Sequence, residues 1–101
     1  MTWADTYTFD GDFVDVRRAA EAQRFTEELA LEVSPGHSLH GRVWTVIARA
    51  LPQDEVVAVS GDDVVLVHLT WSRRPERSPW PETVQVRTAA EFEGVVEGRY
   101  D

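Results

Sequence analysis

The stretch that decides the fold runs from Gly41 to Trp71 and reads GRVWTVIARALPQDEVVAVSGDDVVLVHLTW. Three runs in it are rich in β-branched and aromatic residues, as is typical of strands: 42–51, 55–60 and 63–71. Leu51-Pro52-Gln53-Asp54 has proline at the second position of a turn, and Gly61-Asp62 begins a two-residue hairpin loop with glycine. The stretch therefore predicts three consecutive antiparallel strands.

Along the third strand, successive side chains point to opposite faces of the sheet. The first set is Val65, Val67, Leu69 and Trp71, and the second is Val64, Leu66, His68 and Thr70. Because the first set is uniformly apolar, we expect it to face the helices. The second set becomes polar towards its end, so His68 and Thr70 should stand side by side on a partly covered surface.

The segment before this stretch predicts one helix. Trp3, Tyr7 and Phe9 alternate with polar residues, which makes 1–13 either an edge strand or an ordered arm. From 14 to 33 the composition favours a helix, whose apolar residues recur at three-to-four spacing: Ala22, Phe25, Leu29 and Val33. Ser34-Pro35-Gly36 should end it. Its start stays open, because 13–16 could continue a hairpin from the first strand.

After the decisive stretch, 83–87 alternates as a fourth strand, and Thr88-Ala89-Ala90-Glu91 has the capping-box pattern of a helix start. The sequence thus predicts a single α+β domain over 1–101. We expect an N-terminal helix, an antiparallel sheet of three or four strands, and a C-terminal helix packed on one sheet face.

The composition of the chain disfavours or excludes several classes of function. The net charge is -8, which disfavours nucleic acid as a partner and suits a basic protein. No cysteine is present, so disulfides, thiolate nucleophiles and cysteine-bound metals are excluded. The first residues lack a basic region followed by an apolar run, and no apolar stretch approaches a bilayer span. We therefore expect a cytoplasmic protein without a membrane partner.

The three histidines suggest a site that the surrounding sequence does not support. His37 and His40 are three residues apart and could join His68 in a metal site if their loop folds over the third strand. They follow Gly36 in a predicted turn, however, and no acidic residue stands at ligand spacing. Local hydrogen bonding or helix capping is the favoured interpretation. Pairing His68 with Thr70 as base and nucleophile lacks any catalytic signature, so we predict no catalytic residue, metal or cofactor.

The loop 72–81, SRRPERSPWP, is the one locally basic segment of an acidic chain. It carries Arg73, Arg74 and Arg77, and its Trp80 stands between two prolines. Tryptophan and arginine are the residues most enriched at interface hot spots. The loop is therefore predicted to contact a protein partner or a second copy of the chain. The alternative is that Trp80 plugs the sheet edge while the arginines satisfy nearby carboxylates.

Three segments together resemble a group of short, uncharacterised bacterial proteins from GC-rich genomes: HSLHG at 37–41, VHLTWS at 67–72, and the Trp80-Pro81 pair. The resemblance covers about 29–92, and 67–72 is its most specific part. It implies the same helix, strand and loop order, and it implies no activity.

These observations favour a small acidic binding protein without catalysis, of the inhibitor or immunity type, which neutralises a basic partner such as a nuclease toxin. The alternative class is a small-molecule or metal-binding enzyme that uses the polar residues His37, His40, His68 and Thr70. A homodimer formed through an exposed sheet edge is a third interpretation.

Overall fold

A five-stranded antiparallel sheet forms the centre of the computed structural model, which describes residues 2–100. The strands follow one another in chain order: β1 (Phe13–Asp15), β2 (Thr45–Ala50), β3 (Glu55–Ser60), β4 (Asp63–His68) and β5 (Glu82–Gln85). The helices are α1 (Glu21–Glu32) and α2 (Ala89–Val96), with a 3-10 turn at Trp3–Asp5. The predicted α+β class is confirmed. Within residues 2–100, neither α-helix has the length and apolar composition to cross a bilayer.

The hairpin of β3 and β4 forms as the sequence predicts. Glu55 lies opposite His68 and Ser60 lies opposite Asp63, with all residues between them paired. Gly61 begins the connecting turn with a φ of 58°, in the left-handed region that glycine reaches at little cost. The turn chemistry and the alternation of the strands thus agree on one register.

The sheet has five strands, so the prediction of three or four is too low. The additional strand is β1, which pairs with β2 from Phe13 opposite Ala50. Three residues are too few to show an alternating pattern. Of the two alternatives predicted for 1–13, an edge strand or an ordered arm, residues 2–10 form the arm. It contains the 3-10 turn and is held by a hydrogen bond from Trp3 Nε1 to the Val86 carbonyl, 2.9 Å. The same prediction for Met1 lies outside the described residues.

Helix α1 begins at Glu21, seven residues later than the pattern at 14–33 predicts. Residues 13–16 are extended, since Val14 pairs with Arg49 and the Val16 amide donates to the Ile47 carbonyl at 2.9 Å, and residues 17–20 form turns that lead into the helix. Strand pairing therefore overrides the helical composition here. The helix ends at Glu32, just before the predicted stop at 34–36.

Apolar clusters cover both sheet faces. On the α1 face, Phe25 and Leu29 of the helix pack with inward residues of the central strands, including Val65, Val67 and Leu69. On the α2 face, Phe92 packs with Val64, Leu66 and the aromatic residues of the arm. The predicted division of β4 between two faces is confirmed. The expectation that both helices lie against the same face is wrong, because Phe92 belongs to the opposite cluster.

Candidate functional site

The basic loop, residues 72–81, presents to solvent the four side chains predicted to contact a partner. Arg73, Arg74 and Arg77 are exposed, and Trp80 is 46% exposed. In the part of the chain from 2 to 100, none of these four side chains makes a hydrogen bond or an ion pair. The arginines therefore do not satisfy nearby carboxylates in this structure, and their donors are available to a partner.

Two buried glutamates of α1 anchor the start of this loop through its backbone. The Glu32 carboxyl accepts from the amides of Thr70, at 2.9 Å, and Trp71, at 2.8 Å. Glu28 stands one turn earlier and accepts from the Arg73 amide at 3.0 Å. Residues four apart share a helix face, so both carboxyl groups point at the same segment. These hydrogen bonds use backbone amides as donors, so they do not engage the guanidinium groups of the loop arginines.

The anchored segment has an unusual backbone. Trp71 and Arg73 have φ values of 58° and 60°, in the left-handed region that residues other than glycine rarely adopt. Such conformations cost on the order of 1–3 kcal/mol each and persist where neighbouring contacts hold them. An intramolecular hydrogen bond contributes about 0.5–1.5 kcal/mol net, and three amides of this segment donate to Glu28 and Glu32. The bonds to Glu28 and Glu32 are thus of the size needed to hold this backbone.

His37 anchors the far end of the loop. It is buried, and its Nδ1 accepts from the Leu39 amide at 3.0 Å, which leaves the proton on Nε2. Nε2 then donates to the Pro81 carbonyl at 2.8 Å. The local hydrogen bonding that the sequence favoured is therefore confirmed for His37. In the middle of the loop, the Ser34 hydroxyl donates to the Glu76 carbonyl.

The remaining polar residues do not join His37. His40 is exposed beside α1, whereas His68 Nδ1 lies 3.5 Å from a carboxyl oxygen of Glu55 on β3. Among residues 2–100, no group of three or more histidine, cysteine or acidic side chains is placed to hold a metal. The structure therefore does not bring the three histidines together. Thr70 is exposed and its hydroxyl accepts from the Ser72 amide at 3.3 Å, so it serves the loop turn.

A buried ionic network around Glu55 was missed from the sequence. Glu55 is 1% exposed, and Arg99 donates to it through Nε at 2.8 Å and Nη2 at 2.6 Å. The Tyr100 hydroxyl is a third donor, at 2.6 Å. Burial opposes ionisation, but the bonds from Arg99 and Tyr100 outweigh it, so the pKa of Glu55 lies below its usual value. This network ties the chain after α2 to the sheet.

Glu32 behaves in the opposite way. Burial, reinforced by the neighbouring Glu28 carboxyl, raises its pKa from 4.5 to about 7, although the Thr70 and Trp71 amides act against the rise. The carboxyl that anchors the basic loop thus titrates near neutral pH.

This shift predicts a loss of stability as the pH rises. The folded-state pKa of Glu32 exceeds that of the unfolded chain, so its contribution is complete below pH 4.5 and disappears as the pH passes through about 7. Urea unfolding of the wild type and of Glu32→Gln should show stability profiles that diverge by roughly 1–3 kcal/mol over this interval. Because all other groups are shared, parallel profiles would contradict the assignment.

No protein-family model, curated protein or solved structure matches this chain. The resemblance to short bacterial proteins is not tested by these comparisons and stays an expectation.

Proposed function

We propose that this chain is a protein-binding domain of the inhibitor type, without catalysis, and that the basic loop is its contact surface. One observation carries the proposal: the backbone of the loop is bound from beneath, while Arg73, Arg74, Arg77 and Trp80 face solvent unpaired within residues 2–100. A loop whose backbone is already pre-organised before binding loses little conformational entropy when it binds. Trp80 and the arginines would then supply the contact energy.

The proposed partner is a protein with a basic surface. The net charge of -8 attracts such a protein at long range and speeds the encounter. At the point of contact, the arginines of the loop pair with individual carboxylates of the partner, which a basic protein also carries. The alternative of an enzyme built on His37, His40, His68 and Thr70 has less support, because the ring nitrogens of His37 are both engaged inside the chain.

Trp80→Ala provides the first test. If Trp80 is a contact residue, the variant should keep the stability of the wild type and bind its partner, or a second copy, more weakly by about 2 kcal/mol or more. The partner is captured by the wild type from the native lysate and identified. Dissociation constants are then measured with both purified proteins, and self-association is followed by sedimentation.

Val43→Ala is the matched control, since Val43 is an apolar residue 84% exposed outside the loop. It should change neither folding nor binding. If Trp80→Ala loses folding stability while association is unchanged, Trp80 is a structural plug and the proposal fails. It also fails if the wild type neither self-associates nor binds a purified protein.

A further inference from the structure

A second candidate site lies on the α2 face, away from the basic loop. It is a cavity of about 350 Å³ between the N-terminal arm and α2, which we name the aromatic cavity. Its aromatic lining residues are Tyr7, Phe9, Phe13, Phe92 and Tyr100. The ring centroids of Tyr7 and Phe9 are 5.0 Å apart and those of Phe13 and Phe92 are 5.1 Å apart, so neighbouring rings fix one another.

Three carboxylates stand among these rings. Asp10 and Asp12 are exposed, and across residues 2–100 their side chains accept no hydrogen bond and form no ion pair. Glu93 accepts from the Tyr7 hydroxyl at 2.9 Å through one oxygen. Burial, with the help of Glu93, raises the pKa of Tyr7 to about 12, so the hydroxyl stays neutral and keeps donating. Phe9, Phe13 and Phe92 are buried, whereas Tyr7 and Tyr100 are half-buried and offer ring surface to the cavity. The cavity therefore combines two accessible aromatic rings with unneutralised negative charge.

Two arginines near the cavity already have carboxylate partners. The Arg17 guanidinium lies 5.9 Å from the Phe9 ring centroid and pairs with Asp15 at 2.8 Å. Arg99 precedes Tyr100, which borders the cavity, but its guanidinium is bound to Glu55 through Nε and Nη2. No arginine lines the cavity among the described residues 2–100. A cation from outside the chain would thus meet carboxylates that have no internal counter-ion.

From this combination we propose that the aromatic cavity binds the guanidinium group of an arginine side chain of a basic protein. A guanidinium is planar, so it stacks on ring faces while its edges donate paired hydrogen bonds to carboxylates. An ammonium is attracted to a ring as a point charge, but it neither stacks in parallel nor donates a fixed pair of hydrogen bonds to one carboxylate. Small-molecule sites occupy about 300–1,000 Å³, and a cavity at the lower end of that range suits one side chain. The charge of -8 favours a basic protein as its source.

A tetra-arginine peptide tests the proposal by calorimetry and by chemical-shift changes of residues around the cavity. It should bind more tightly than a tetra-lysine peptide and far more tightly than the neutral tetra-citrulline peptide, which keeps the shape. The double variant Asp10→Asn, Asp12→Asn should weaken binding at least about tenfold. The matched control is Glu27→Gln, Asp54→Asn, which removes the same charge from two exposed sites outside the cavity.

Several outcomes would overturn the proposal. Equal weakening by both double variants would mean diffuse attraction to an acidic protein, and equal affinity for the citrulline peptide would mean that charge is irrelevant. Absence of binding would refute it directly. If free arginine, with its charged amino and carboxylate groups, binds more tightly than N-acetyl-arginine amide, the site serves a free small molecule and not a protein side chain. Trp80→Ala should leave the peptide affinity unchanged, so this inference and the proposed function can fail separately.

Discussion

Replacing Leu69 by alanine should destabilise the folded protein by about 2–5 kcal/mol. Leu69 is 1% exposed and lies in the α1-face cluster together with Phe25, Leu29 and Val67. The truncation removes buried methyl groups and leaves a space between helix and sheet, which the surrounding structure fills only partly. Urea unfolding at fixed pH would measure the loss.

The adjacent His68→Gln is the control for this prediction. The His68 side chain is 39% exposed and belongs to the other face of β4, so its replacement should cost much less. If the two substitutions are equally destabilising, the assignment of these residues to opposite faces does not describe the protein in solution.

Arg99→Ala should cost about 3 kcal/mol, the lower end of the range for breaking a buried ion pair. The substitution leaves Glu55 buried with its charge uncompensated, since Tyr100 supplies one hydrogen bond and His68 lies at 3.5 Å. Partial exposure of Arg99 keeps the cost from the upper end of that range. Thermal and urea unfolding would both report it.

Arg87→Ala is the matched control, because Arg87 is exposed and its guanidinium donates only to Gln85 among residues 2–100. We expect less than about 1 kcal/mol for it. The double variant Arg99→Ala, Glu55→Gln should recover part of the lost stability, as it removes the unpaired charge. If Arg99→Ala and Arg87→Ala lower the free energy of unfolding equally, pairing with Arg99 does not stabilise the buried Glu55.

The central hairpin could be predicted from the sequence because its determinants are local. Gly61-Asp62 sets the turn, and the alternation along 63–68 sets the faces. The start of helix α1 stayed open between two alternatives, because Val14 and Val16 pair with β2, a partner far along the chain. Short-range patterns carry no information on such pairings.

The same contrast between local signals and distant partners applies to the candidate functional residues. Loop composition marked Arg73, Arg74, Arg77 and Trp80, and all four are exposed. Nothing in the sequence indicated that three glutamates are buried: Glu28, Glu32 and Glu55. Glutamate is rarely buried unless it is paired, so in the sequence these three resemble surface residues. Their partners lie far along the chain, as with Arg99, which is 44 residues from Glu55.

Glu55 also bears on how the central hairpin avoids misalignment. Strands β3 and β4 are apolar towards both faces, so sliding one strand past the other by a residue would exchange one apolar set for another. Hydrophobicity alone hardly penalises that slip. It would, however, turn Glu55 from Arg99 and Tyr100 towards the apolar cluster beneath α1. The buried carboxylate therefore specifies the register of the hairpin. It adds little net stability to the aligned sheet, but it makes the slipped sheet prohibitively costly in free energy.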